Sequence, residues 1–187
     1  MTTEALYGAY LAELEASYAG LRVILKSESR FCRLLDRLVR ILTFGGQDRF
    51  MSQYVTTLGR RIYVPDDWLE SPAAYRYCVM RHEAVHVRQF QRYRWPAMIV
   101  LYCLLPLPTA FSGRAWIELP AYRETLTATW QIYGERAARE PELLDRIVRR
   151  FTGPDYGWMW LRGGAIRRAL ERHLDALTLT PPPRVEL

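Results

Sequence analysis

Residues 80–90 read Met80-Arg81-His82-Glu83-Ala84-Val85-His86-Val87-Arg88-Gln89-Phe90, and three of them can do chemistry together. His82 and His86 stand four positions apart. On a helix that places them one turn apart on the same face, with a rise of about 6 Å between them at ~1.5 Å per residue. Two imidazoles so placed can share one metal ion, and Zn²⁺ takes His nitrogen in tetrahedral sites. Glu83 leans to the side of that face. It is too displaced to be the obvious third ligand, but it is placed to touch a water on the metal. Zinc brings the pKa of such a water to roughly 7, and a carboxylate can take its proton as the oxygen attacks a carbonyl. His-Glu-x-x-His has the clearest mechanical meaning of any stretch in the chain.

Two histidines alone do not make a catalytic zinc site. A third protein ligand is expected, with one position left for water. His173 is the one remaining histidine; it lies among Arg167, Arg168 and Arg172 and reads as an exposed helix residue. Asp66 and Asp67 read as turn residues. Glu118 and Glu124 are the best candidates, on a later helix that a preceding loop can bring back antiparallel. Glu118 precedes Tyr122 by one turn, so the two point the same way.

The elements that must position these groups follow from local patterns. Ser71-Pro72 is a helix start, with Ser at the N-cap and Pro in the first turn. The helix is predicted over 72–94, with Tyr75, Val79, His82, His86, Phe90 and Tyr93 on one inward face and Arg81, Arg88 and Arg92 opposite. Before it, Tyr54–Thr57 and Arg61–Val64 are β-prone around Leu58-Gly59-Arg60, which predicts a short hairpin. After it, Trp95–Phe111 is nearly all apolar and is broken by Pro106 and Pro108. It falls short of the ~20 residues a spanning helix needs, so a short buried helix over 97–105 and a Pro-rich turn are expected. A helix over 115–139 carries Glu118 and Glu124. Pro120 then belongs in its first turn, which puts the start near Ala115–Ile117.

The flanks are helical as well. Leu6, Tyr10, Leu14, Tyr18 and Leu21 predict a helix over 3–26. Phe31, Leu34, Leu35, Leu38, Ile41 and Leu42 form the stripe of a second over 29–44, ended by Gly45-Gly46. Arg30, Arg33, Arg37 and Arg40 lie largely off that stripe and read as a solvated face. Helices over 141–151 and 165–177 bracket an aromatic loop, Gly153–Trp160, and the tail from Thr180 is expected to be loose. The sum is one mainly α (α+β) domain of 187 residues, with a helix pair (1–46), a core (51–139), C-terminal helices (140–179) and a tail (180–187).

Composition sets outer bounds. Half the residues are hydrophobic, which excludes disorder by composition. The net charge is +6, and of the basic residues only Lys26 is lysine, the other 25 being arginine. The arginines spread from Arg22 to Arg184 without forming a block, which argues against nucleic acid as the main partner. Cys32, Cys78 and Cys103 are odd in number and lack a Cys-x-x-Cys pair, against a disulfide framework or a thiolate zinc site. Met1-Thr2-Thr3-Glu4 does not begin a secretory signal, so a cytoplasmic or virion location is expected.

With these residues in view, the chain resembles the zincin metallopeptidases of glutamate-ligand type. His82-Glu83-x-x-His86 continues as Val87-Arg88-Gln89, and Glu118-Leu119-Pro120-Ala121-Tyr122-Arg123 follows downstream, as in small minimal gluzincins. The resemblance covers about residues 50–130. It implies a zincin-like helical domain with a hairpin before the active-site helix, zinc held by His82, His86 and Glu118, and Glu83 as general base. It also implies a peptide or protein substrate that adds to an edge strand, a role open to the hairpin. A histidine at the family's distance for the oxyanion is absent, which leaves Tyr122, Tyr156 or Arg123 for that task. Two other readings stand beside it. One is an assembly component, such as a virion subunit, that retains a zincin fold and uses 95–111 and 154–160 as interfaces. The other is a peripheral membrane protein docking through 95–111.

Overall fold

The structure is a computed structural model that describes residues 1–42, 50–99, 113–153 and 162–185. It is mainly helical with one three-stranded sheet, the fold class expected. Residues 2–87 form one compact unit; residues 88–187, with Met1, form another, and the border falls inside a helix.

In the first unit, α1 (Thr3–Ser17) starts on Thr2, whose hydroxyl accepts from the Ala5 N–H at 3.2 Å. The helix expected to reach 26 stops at Ser17. Gly20 takes a φ of 82°, which glycine adopts without a Cβ clash. Arg22–Leu25 is then a strand, β1. A three-residue apolar run, Val23-Ile24-Leu25, does not reveal its period, so strand and helix look alike in sequence. A short α2 (Arg30–Leu42) and a single turn, α3 (Phe50–Gln53), follow. The expected stop at Gly45-Gly46 lies outside the described residues.

The predicted hairpin forms from β2 (Thr56–Leu58) and β3 (Arg61–Val64), turning at Gly59 with φ 65°. The sheet order is β1-β3-β2, with β1 parallel and β2 antiparallel to β3. That answers how so short a hairpin is held: β3 becomes a central strand, with Ile62, Tyr63 and Val64 buried.

The longest helix, α4 (Ala73–Ile99), begins directly after Pro72, as predicted. It passes the expected end near 94, so residues 97–99 continue it instead of opening a new helix. The rest of the apolar run, 100–112, lies outside the described residues. Around the helix, burial is wider than one face. Met80, Ala84 and Val87 are fully covered, and Arg76 is 5% exposed. Arg76 donates to both Glu4 oxygens at 2.6 and 2.8 Å, stacks 4.5 Å from the Tyr7 ring, and thereby ties α1 to α4. Two expectations are corrected. Tyr75 points outward at 52% exposure, and Arg81 is half-buried, reaching the Tyr77 hydroxyl and lying 5.4 Å from the Tyr10 ring. A helix covered on several sides cannot be sorted by one apolar stripe.

In the second unit, α5 (Gly113–Tyr133) starts earlier than expected, so Pro120 sits inside the helix instead of its first turn. Proline there cannot donate to the Trp116 carbonyl. The helix also ends earlier. Gly134, at φ 86°, separates it from α6 (Glu135–Ala138), where one helix to 139 was expected. The helices α7 (Pro141–Thr152) and α8 (Gly163–Leu179) lie close to their predicted spans, α7 opening on Pro141. Residues 154–161, which include most of the aromatic loop and Tyr156, lie outside the described residues. Leu126, Trp130, Phe151, Leu170 and Leu174 form the heart of this unit's core. The tail is anchored where it was expected to be loose: the Val185 N–H donates to the Gln131 carbonyl at 3.2 Å.

Candidate metal centre

The site begins with the two histidines of α4. His82 is half-buried and His86 is 8% exposed. Their Nε2 atoms stand 3.2 Å apart, with the rings steeply inclined at 73°. Such a pair can share a proton, or both lone pairs can be directed at one cation. Two nitrogens about 2.05 Å from a tetrahedral zinc are about 3.3 Å apart. The observed separation fits that edge.

The carboxylate comes from α5. Ligand atoms of His82, His86 and Glu118 all lie within 4.8 Å of one another. Glu118 is 2% exposed. The donor set is two neutral-capable imidazoles and one carboxylate, a combination that suits zinc with a position to spare. It could hold a metal ion. Gln89, three residues after His86, donates through Nε2 to the Ile117 carbonyl at 2.9 Å. That bond fixes the α5 backbone next to Glu118, and it gives the Gln of the His86-Val87-Arg88-Gln89 continuation a physical task.

Glu83 lies on the same turn and is 6% exposed. Thr57, on β2, donates from Oγ1 to Glu83 Oε2 at 2.7 Å in a buried setting. A buried bond of this kind holds the Glu83 rotamer in place. Near it lies Lys26, fully covered at 0% exposure. Its Nζ donates to the Phe50 carbonyl and sits 3.9 Å from the Phe50 ring centroid. Burial pushes the Lys26 amine down to about 8, against the opposing pull of Cys32, Glu83 and Asp36.

The remaining candidates are elsewhere. Tyr122 follows Glu118 by one turn on α5, with its ring 5.4 Å from Phe151 at the edge of the core. His173 is half-buried, not exposed as expected, and its Nε2 is 2.9 Å from Thr127 Oγ1. Burial first, and the Arg123 charge second, lower its pKa, while a hydrogen bond with the Arg123 backbone and then the charge of Glu124 pull the other way. Glu124 thus belongs to the surroundings of His173, and the metal-capable group contains Glu118. Asp66 is a turn residue as read, its Oδ1 accepting from the Ser27 N–H at 3.3 Å.

Sequence reasoning missed Thr57 and Lys26. Thr57 carried no signal beyond its place in a β-prone run. Lys26 did carry one: it is the single lysine among 25 arginines. The chain matches no family model, no curated protein and no solved structure.

Proposed function

We propose that this chain is a zinc-dependent hydrolase of minimal gluzincin type that cleaves a peptide or related amide bond. One observation carries the reading: His82, His86 and Glu118 converge on one point, and the neighbouring Glu83 has one oxygen held by Thr57. Zinc, when bound, would acidify a water and polarise the substrate carbonyl. The rest falls to the chain's own side chains. Thr57 engages Oε2, so Oε1 of Glu83 is the oxygen that accepts the proton of the attacking water and returns it to the leaving amine. The outer strand β2, which carries Thr57, lies at an edge of the sheet and offers a place for an extended substrate to pair.

The test is a comparison of wild type with Glu83→Gln against a broad library of quenched fluorescent peptides. Both proteins are expected to hold one zinc, and only wild type to cleave. Zinc-loaded wild type that cleaves nothing, or a Glu83→Gln protein that cleaves as well, would refute the proposal.

A further inference from the structure

The helix α2 presents a surface that the metal site does not use. On a wheel of ~100° per residue, Phe31, Leu38, Leu34 and Ile41 fall in one sector about 80° wide. They are 49%, 49%, 66% and 71% exposed, respectively. Cys32, on the other side of Phe31, is fully buried, so the helix is seated by one apolar flank and leaves the other open. Arg30 and Arg37 border Leu34 and Ile41 on the wheel, and Arg33 and Arg40 come next. All four arginines are exposed. Arg40 pairs with Asp36 at 2.9 Å, and Arg33 reaches the Ser27 carbonyl. Arg30 and Arg37 have no acidic partner among the described residues.

We propose that this outer face of α2 docks on an anionic lipid bilayer, with the helix lying in the plane of the headgroups. The apolar stripe enters the acyl boundary. The neighbouring guanidinium groups stay at the level of the lipid phosphates, their stems covering apolar surface. Charge complementarity selects this occupant. A helix carrying four arginines and one aspartate suits a negative surface, whereas symmetric pairing with a second copy would set like charges beside each other. Four apolar side chains are also far fewer than the roughly 20–30 residues a side of a stable protein interface. Thirteen residues reach about 20 Å at ~1.5 Å per residue, so α2 rests on a bilayer whose apolar core is about 30 Å thick. No helix among the described residues is long and apolar enough to cross a membrane.

Cosedimentation of the full chain with vesicles tests this. The vesicles are phosphatidylcholine alone or phosphatidylcholine with about a third phosphatidylglycerol, at low and high salt. Wild type is expected to pellet with the anionic vesicles and to be released by salt. Leu34→Gln with Ile41→Gln should lower binding at least about tenfold. Arg30→Gln with Arg37→Gln should lower it about fivefold for each charge removed. All four positions are exposed, so thermal midpoints should stay at the wild-type value, and Ile41→Gln alone gives a milder change in the same direction. The proposal is overturned if wild type stays in the supernatant, if it binds neutral vesicles equally, or if the variants bind as wild type does. It is also overturned if light scattering shows a wild-type dimer that the same substitutions dissociate.

Discussion

Zinc should be visible first in the stability of the protein. His82 and His86 hold their Nε2 atoms 3.2 Å apart, and Glu118 supplies a third donor at 2% exposure. These donors converge only in the folded chain, so an ion that binds all three favours the folded state. At a free zinc concentration a thousandfold above Kd the gain is about 4 kcal/mol. A chain of 187 residues shifts its melting midpoint by roughly 2–4 °C per kcal/mol. Chelator-stripped protein titrated with zinc should therefore melt about 8–16 °C higher at saturation. His86→Ala removes one ligand and should erase the zinc-dependent increment, whatever it does to the metal-free midpoint. Glu118→Gln, nearly isosteric, should leave the metal-free fold in place and lose most of the increment. Glu83→Gln should keep all of it, because Glu83 lies outside the ligand group. Scanning fluorimetry with metal analysis of the same samples reads both quantities. An unchanged wild-type midpoint, or a full increment in His86→Ala, would defeat the assignment of these residues as ligands.

Three further outcomes are expected. Thr57→Val removes the donor to Glu83 Oε2 and should cost roughly 1.5–3 kcal/mol in urea unfolding. Zinc affinity should not change, and Thr57→Ser should recover most of the loss; equal unfolding midpoints for all three proteins would contradict the bond. His173 has a folded pKa below the ordinary 6.5, so the unfolded chain binds more protons as pH falls through and below that value. Stability should drop on acidification from neutral pH, and His173→Gln should reduce the slope of urea midpoint against pH in that window. Lys26 titrates at about 8 when folded against 10.5 when unfolded, so stability should rise between those pH values by about 3 kcal/mol, and Lys26→Met should flatten that rise.

How far the sequence could be read depended on the kind of signal. His82-Glu83-x-x-His86 was legible because four residues of helix place two imidazoles together without help from the rest of the fold. The start of α4 at Ser71-Pro72 and the β2–β3 hairpin were legible for the same reason, since caps and turns act within a few residues. Glu118 was nameable because it stands one turn before Tyr122 on a recognisable helix, yet Glu124 could not be set aside without knowing what His173 touches. The strand β1 was missed because its identity is decided by pairing with β3, 39 residues later in the register Arg22↔Arg61, and not by its own four residues. Pro120 misled for a related reason. Proline marks a first turn when local preference decides, but inside α5 the packing of Ile117, Glu118 and Ala121 overrides that preference.

The same contrast separates the two glutamates that define the site. Glu83 belongs to the unit formed by residues 2–87, with its partner Thr57 on β2 and the charge of Lys26 nearby. Glu118 takes its place from α5, whose backbone Gln89 grips at Ile117. One carboxylate is thus oriented by a hydroxyl, and the other by the helix that carries it. Lys26 shows how strongly the first of these surroundings is specified. The chain uses arginine at every other basic position. At 0% exposure, a guanidinium would need acceptors for five N–H groups, and an ammonium needs three. The Phe50 carbonyl and ring serve the smaller cation. Elsewhere in the chain the basic residues are arginine. Lys26 is the exception, a buried ammonium placed where its charge acts on the carboxylate proposed for proton transfer.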